Sequence, residues 1–263
     1  MNSLINQLWS EYVKITPSAK IILQILELES PTKFTDHIVF RSIGTGKNGI
    51  RNLCLPFIEL GYHKAKTYYC EEKKVNAIHL ENIKEPHLPK VFISELILEG
   101  YSDFLVKEMK KCSSQLDQFS DHDLPTAGRT WEVDLCTYKQ LEEESEYAAW
   151  IYIHGSRVNQ FTLSVNELKD YSLEILCFYL KNLGIVLNQE DGVIKGHAEQ
   201  GLKQASTIPD RTPIYFKDID AEIMIPSSCI AFAERFFTEG ELFTGFITES
   251  ANLIFDSIGR KAS

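Results

Sequence analysis

The order of the predicted elements repeats along the chain, and this repeat limits the possible folds more than any other feature. A strand, a helix and about three further strands are predicted between residues 36 and 98, and the same order is predicted again between residues 159 and 236. The two cycles also begin with weakly similar strings, at residues 36–42 and 159–164. The sequence therefore predicts a duplicated βαβββ unit, whose sheet can curl around a central cavity where pockets tend to form.

A helical region precedes the first cycle. Apolar residues between Leu4 and Leu28 recur at helical spacing, with an interruption at Pro17. We therefore predict an α+β protein of the duplicated βαβββ type, with a strongly curved mixed sheet around a pocket and N-terminal helices packed outside it. The whole chain, 1–263, is predicted to be one domain with approximate internal halves at 30–100 and 155–240.

Composition excludes several classes of function. Lys and Arg number 27 against 37 Asp and Glu, and this net charge of −10 argues against a broad nucleic-acid surface. No uncharged apolar run approaches the roughly 20 residues that a membrane helix needs. The N-terminal residues lack the pattern of a secretory signal, and the six cysteines are scattered without metal-finger spacing. We therefore expect a cytoplasmic protein with reduced thiols and no membrane contact.

Eight short strings, in order along nearly the whole chain, fit one known family. They lie at residues 36–41, 89–96, 144–150, 155–162, 194–196, 202–207, 225–227 and 251–257. Together they resemble the 2-oxoadipate dioxygenase/decarboxylase (2-hydroxyglutarate synthase) family, a distant relative of the vicinal-oxygen-chelate enzymes. The resemblance implies a non-haem Fe(II) held by two His and one Glu, with positions left open for a 2-oxo acid and dioxygen.

The chain departs from the family pattern at two of the three implied iron ligands. His37 matches the first His, in the family's D-H-x-x-x-R string. Gln160 stands where the family has the second His, and Ala231 stands where it has the Glu. A carboxamide is a weak neutral donor and a methyl group is no donor, so the sequence predicts a degenerate metal site.

Two acidic residues are candidates to rebuild that site. By the symmetry of the repeat, Glu95 could reach the centre, although a structural hydrogen-bond acceptor is the alternative interpretation. Glu234 lies three positions after Ala231, so on a strand it points to the opposite face. Without co-ligands, His37 is either a hydrogen-bonded pocket or core residue, or a ligand-binding or proton-transfer group. His154 lies six residues before Gln160, roughly 20 Å away along a strand, and is not expected to replace a ligand. The other histidines are assigned to the surface or to structural roles: His63, His79, His87, His122 and His197.

Recognition of a carboxylate is better preserved. Arg41 stands four residues after His37, so both side chains project from one face of a strand. The family's matching Arg binds the substrate carboxylate, and a planar guanidinium suits paired hydrogen bonds to such a group. The alternative is that Arg41 pairs with a protein acid. Gln204, Ser206 and Thr207 are either neutral pocket contacts, as the resemblance implies, or caps and turn-stabilising residues.

Two functions follow from these observations. The first is a divergent enzyme that acts on a small carboxylate, either a 2-oxo acid or an amino-acid-derived acid. Its chemistry would be altered from iron-dependent oxidative decarboxylation, with Arg41 as the anchor and His37 as a ligand or as an acid or base. The alternative is a catalytically silent carboxylate-binding or scaffold protein on the same fold. The predicted partner is a small carboxylate, and the sequence leaves a homo-oligomer open.

Overall fold

The structure is a computed structural model that describes residues 2–190 and 192–247. The string at residues 251–257 lies outside the described residues. The helices are α1 (Asn2–Ile15), α2 (Pro17–Ile25), α3 (Ile50–Leu53), α4 (Leu55–Glu59), α5 (Asp103–Gln115), α6 (Leu135–Glu144), α7 (Glu146–His154) and α8 (Leu173–Asn182). The strands are β1 (Thr35–Ile43), β2 (Tyr62–Cys70), β3 (Val75–Asn82), β4 (Lys90–Leu96), β5 (Val158–Ser164), β6 (Lys195–His197), β7 (Leu202–Ser206), β8 (Arg211–Phe216), β9 (Ala221–Pro226), β10 (Cys229–Arg235), β11 (Phe237–Thr238) and β12 (Glu241–Leu242).

Eight of these strands form one mixed sheet in the order β2-β3-β4-β1-β5-β10-β7-β6, curled into a half-barrel. In the first half β1 pairs in parallel with β4, and in the second half β5 pairs in parallel with β10. The remaining neighbours within each half are antiparallel, and the antiparallel pair β1–β5 joins the halves. The duplicated βαβββ architecture is therefore confirmed, whereas the predicted bounds of its halves, 30–100 and 155–240, stay a prediction.

The two faces of the sheet are covered by different helices. On one face, Phe161 of β5 contacts Trp9 and Tyr12 of α1, at ring-centroid distances of 5.1 and 5.0 Å. On the other face, Tyr147 of α7 accepts a hydrogen bond from the Ser42 backbone N–H at the end of β1. The N-terminal helices thus pack outside the half-barrel, and α7 covers part of the face that carries His37. None of the described helices has the length and apolar character required to cross a bilayer.

The secondary structure differs from the prediction at the break between α6 and α7 and at strand β7. The sequence pattern over residues 139–152 favours one helix, but the structure has two there, because Ser145 adopts an extended conformation and its hydroxyl accepts from the Ala148 N–H to start α7. Gly155 ends α7 with φ of 70°, and a Cβ there would lie 2.1 Å from the Gly128 carbonyl oxygen. Strand β7, where the sequence analysis assigned no strand, pairs with β10. That strand carries Ser206 and the buried Gln204.

Candidate functional site

An acid–histidine pair opens strand β1. The β1–β5 register shifts between Thr35 and His37, and such an irregularity lets consecutive side chains turn to one side of a sheet. The Asp36 Oδ1 and His37 Nδ1 atoms are 2.6 Å apart, and both side chains are buried. This contact fixes the orientation of the imidazole ring and leaves its Nε2 atom directed along the sheet.

The His37 Nε2 atom meets a chain of polar groups on β5. It lies 3.0 Å from the Thr162 hydroxyl oxygen, which accepts a hydrogen bond of 2.9 Å from the Gln160 amide nitrogen. Since the amide nitrogen can only donate, the Thr162 proton is left to point at His37, whose Nδ1–H then donates to Asp36. Burial lowers the pKa of His37 against the opposing effect of Asp36, which agrees with a neutral ring that accepts at Nε2.

Arg235, which the sequence analysis did not single out, holds the carboxylate of this pair. Its Nε atom lies 2.6 Å from Asp36 Oδ2 and its Nη2 atom lies 2.8 Å from Oδ1, a two-bond fork between buried side chains. Burial opposes ionisation of the carboxyl, but the charge of Arg235 and hydrogen bonds from His37 and Arg235 together lower the pKa of Asp36 below its usual range. A salt-bridged acid therefore supports His37.

The register brings together the three positions that the resemblance assigns to iron ligands. His37 lies opposite Thr162, and Thr162 lies opposite Ala231, so these residues form a row across β1, β5 and β10. Gln160 is two residues from Thr162 on the same strand and therefore on the same face. We call this side of the sheet the His37 face. Among the residues that the structure describes, no group of three or more His, Cys, Asp or Glu side chains is placed to hold a metal ion.

Neither candidate replacement ligand is directed at His37, as strand alternation predicted for Glu234, whereas the expectation that Glu95 could reach the centre is corrected. The Glu95 carboxylate accepts from the Ile50 backbone N–H at 3.0 Å, at the start of α3. The Glu234 carboxylate accepts from the Leu173 N–H at 3.0 Å, at the start of α8. Both residues lie on the opposite side of their strands from the His37 face, because side chains alternate along a strand. Glu95 is therefore a structural hydrogen-bond acceptor in this structure, as its alternative interpretation proposed.

Arg41 lies farther along the His37 face, under helix α7. Its guanidinium carbon is 4.9 Å from the ring centroid of Tyr147 and 5.6 Å from that of Trp150. The side chain is 2% exposed, and this burial lowers its pKa to about 10, so it remains a cation at neutral pH. The aromatic rings stabilise a buried positive charge through their π-faces. The geometry thus positions a rigid guanidinium on the same face as His37.

The predicted pocket string on β7 is divided between two environments. Ser206 lies opposite Ala231 and the buried Gln204 lies opposite Ala233, so both belong to the His37 face. The Thr207 hydroxyl instead accepts from the Ile230 backbone N–H at 3.3 Å, which stabilises the end of the β7–β10 pair. Thr207 therefore has the structural role that the sequence left open.

Two further residues that sequence reasoning did not place in the site contact His37 or its surroundings. The ring of Phe246, 2% exposed, has its centroid 4.8 Å from that of His37 and 5.3 Å from that of His79. His79 was assigned to the surface or to a structural role, but it lies buried and its Nδ1 atom is 2.8 Å from the Tyr68 hydroxyl. Arg235 donates to the carbonyls of Phe243 and Gly245 and so holds the segment before Phe246.

A cleft of about 910 Å³ lies beside this site rather than over His37. Its lining includes Trp150, which also contacts Arg41, together with apolar, acidic and amide side chains of α6, α7 and the segments 186–190 and 208–209, and the basic side chain of Arg211. The cleft is therefore next to the Arg41 end of the His37 face.

The half-barrel of two βαβββ units, with polar side chains converging on one face, defines the vicinal-oxygen-chelate-like fold class. More specifically, the chain belongs to the 2-oxoadipate dioxygenase/decarboxylase family, whose sequence profile matches residues 3–127 and 114–240.

Three relatives illustrate the similarity. A chloroplastic 2-oxoadipate dioxygenase/decarboxylase of Arabidopsis thaliana is 30% identical over 285 residues, covering 97% of this chain and 76% of the relative. The crystal structure of a hydrolase candidate from Shewanella frigidimarina has a TM-score of 0.87 and 38% identity, covering 94% of this chain and 97% of its own. The Oryza sativa hydroxyglutarate synthase in complex with 2-oxoadipate has a TM-score of 0.86 and 26% identity, covering 97% and 91%.

Proposed function

We propose that this chain is an enzyme that binds a small carboxylate on the His37 face, with a 2-oxo acid as the substrate class and 2-oxoadipate as the first compound to test. The observation that carries the proposal is the position of Arg41, a buried guanidinium on the same sheet face as His37. The rice relative in complex with 2-oxoadipate supports the choice of compound. A cytoplasmic location stays a prediction, and the Arabidopsis relative is named as chloroplastic.

The side chains at the family ligand positions do not fit Fe(II). A two-His, one-carboxylate site needs three donors on one side of the ion. Here Gln160 directs its amide nitrogen at Thr162, and Ala231 offers only a methyl group. The Nε2 atom of His37 is engaged by the Thr162 hydroxyl. We therefore propose a degenerate metal site and chemistry altered from iron-dependent oxidative decarboxylation, and we derive no step through iron.

Without iron, the roles in binding and proton transfer fall to side chains of the His37 face. Arg41 would bind the substrate carboxylate through paired hydrogen bonds, while Tyr147 and Trp150 hold its guanidinium in place. Asp36 keeps the proton of His37 on Nδ1, so Nε2 is the atom that would accept a proton from the substrate in place of the Thr162 hydroxyl. Gln204 and Ser206 would supply neutral contacts to the rest of the acid.

The second candidate is a catalytically silent binding protein, and one observation favours it. Phe246 packs its ring against His37, where a substrate atom would have to approach Nε2. A chain that has lost two ligands and covers the third residue in this way could keep only the Arg41 end as a carboxylate site.

Binding is tested by the midpoint of thermal unfolding, Tm, with and without 2-oxoadipate. At about 100 times Kd the ligand stabilises the protein by about 2.7 kcal/mol, roughly 5–10 °C in Tm. Arg41→Lys keeps the charge but loses the planar fork, so we expect the rise to disappear. Arg157→Lys is the matched control, because Arg157 donates to the His154 carbonyl outside the His37 face. An equal rise in both variants and wild type would reject Arg41 as the anchor.

Turnover separates the two candidates. Wild-type protein is purified without chelator, its iron content is measured, and products of 2-oxoadipate and of other 2-oxo acids are identified by mass spectrometry together with oxygen uptake. A metal-independent product supports the altered enzyme, and binding without any product supports the silent protein. Stoichiometric iron with oxygen-dependent release of carbon dioxide would refute the degenerate site.

A further inference from the structure

Six large apolar side chains are exposed on helix α8, on the segment that follows it and on the segment between β7 and β8. Their exposed fractions range from 36% for Tyr179 to 70% for Phe178. We call this set the α8 patch, and it consists of Ile175, Phe178, Tyr179, Leu183, Val186 and Ile208.

Helical spacing and backbone hydrogen bonds connect the residues of the patch. Residues 175, 178 and 179 are separated by the three- and four-residue steps that place side chains on one face of a helix. The Leu183 backbone N–H donates to the Tyr179 carbonyl, and the Ile208 N–H donates to the Val186 carbonyl. The opposite side of α8 is already buried through Leu173, Leu176, Cys177 and Leu180. Helix α8 is thus apolar on both sides: one side is buried, and the other is exposed apart from a contact between the Tyr179 and Tyr171 rings, whose centroids are 5.8 Å apart.

The exposed area is sufficient for a specific dimer. Large apolar side chains each present roughly 150–250 Å², so the exposed fractions of the six residues amount to about 500–600 Å² per copy. Two copies meeting through this patch would bury more than about 1,000 Å² from these side chains alone, the lower range of specific interfaces. Contiguous apolar patches of this size on a monomer commonly mark an interaction site.

The charges that flank the patch are complementary to a second copy in one orientation. Glu174 lies in the first turn of α8 and Lys181 in the last turn. They stand four residues before and three residues after Phe178, so all three lie along one line of the helix. If two α8 helices cross antiparallel at Phe178, Glu174 of each copy approaches Lys181 of the other. A parallel arrangement would place like charges together.

From these observations we infer that a second copy of this chain docks on the α8 patch, with the two α8 helices antiparallel about a two-fold axis near Phe178. The α8 part of the interface lies away from the His37 face, because Glu234, which bonds to the start of α8, is on the opposite side of β10 from that face. Val186 and Ile208 of the patch also line the cleft beside Arg41. Phe178 does not line that cleft, so a change at Phe178 tests dimer formation without altering the cleft.

Sedimentation and light scattering measure the association. Wild type is expected to shift from 30.1 kDa towards twice that mass as its concentration rises to about 100 µM. Phe178→Glu places a charge at the centre of the patch and should weaken the dimer at least about 30-fold. Ile83→Glu is the matched control, because Ile83 is 76% exposed and follows β3 in the other half of the sheet. A wild type that stays monomeric, or equal effects of both variants, would overturn the inference.

Charge reversal tests the orientation. Glu174→Lys should weaken the dimer, and adding Lys181→Glu should restore it, although both proteins have lost the Glu174–Lys203 ion pair within the chain. Phe178→Cys in a Cys136→Ser background gives a second readout, since a two-fold axis at residue 178 brings the two introduced thiols together. Rapid formation of a disulfide-linked dimer supports the antiparallel arrangement. No rescue and no cross-link in a protein that remains dimeric would place the interface elsewhere.

Discussion

Replacement of Asp36 by Asn is expected to cost about 3–5 kcal/mol of unfolding free energy at pH 7. The carboxylate is 5% exposed and receives two hydrogen bonds, of 2.6 and 2.8 Å, from an Arg235 side chain that is itself 4% exposed. Asn has nearly the same shape but no charge, so it leaves the guanidinium buried without its counter-ion, and removal of one partner of a buried pair typically costs this much. The midpoint of urea unfolding, with the slope checked for constancy, measures the loss.

The pH dependence of the same variant provides an independent check. Burial opposes ionisation of Asp36, but Arg235 and His37 together hold its pKa well below the ordinary 3.8, so this residue stabilises the fold above that value. The stabilisation decreases as the pH falls, because the unfolded chain binds the proton first. The difference between wild type and Asp36→Asn should therefore shrink by about 1 kcal/mol between pH 5 and pH 3.

A control variant distinguishes a buried pair from an exposed one. Glu174→Gln removes a carboxylate that lies 2.8 Å from Lys203 but is 51% exposed, and should cost less than about 1 kcal/mol. A loss of that small size for Asp36→Asn, or a difference from wild type that is constant with pH, would refute the argument that the pair supports the site.

Three further variants test other parts of the structure. Burial lowers the pKa of His154 from 6.5 to about 3, so the unfolded chain binds a proton first and stability is lost as the pH falls below 6.5. His154→Gln keeps a donor to the Pro226 carbonyl but has no such proton to bind. Urea titrations at pH 5 should therefore show about 2 kcal/mol less acid destabilisation in this variant than in wild type. Phe246→Ala should lower the unfolding free energy by about 3–5 kcal/mol and strengthen dicarboxylate binding in calorimetry. Gln160→His with Ala231→Glu should raise Tm when Fe(II) is added anaerobically, and wild type should show no such rise; no rise in the double variant would contradict the alignment of these positions.

The repeated order of strands and helices could be predicted because each element has a local sequence signal, namely alternation of apolar residues within strands and turn residues between them. The hairpin of β2 and β3 turns at residues 71–74, where the sequence has four consecutive charged residues. Strand β7 was missed because its buried face includes the polar Gln204, so it lacks the apolar alternation of a half-buried strand. The break between α6 and α7 was missed because it depends on a single serine cap, whose effect is visible only in the backbone conformation.

Part of the site could be predicted, namely the residues whose sheet face follows from strand alternation alone. His37 and Arg41 share a strand, and the duplicated topology carries Gln160 and Ala231 to neighbouring strands. Arg235 was not predictable in this way, because it meets its carboxylate across 199 positions of the chain and through an irregularity of the β1 register. The alternation rule did predict that Glu234 faces away from Ala231. The expectation for Glu95 was wrong because it relied on the symmetry of the repeat. Alternation of side chains within β4 places Glu95 on the side away from His37.

The substitution at Gln160 and the retention of His37 have a common physical explanation. A histidine buried on a sheet face needs a partner for each ring nitrogen, since an unsatisfied buried polar atom costs about 1–3 kcal/mol. Here the Thr162 hydroxyl satisfies Nε2. While that hydroxyl donates to His37, its oxygen accepts a hydrogen bond of 2.9 Å from the Gln160 amide. A carboxamide at position 160 therefore gives the row a neutral donor, and the methyl group of Ala231 adds no competing charge beside it.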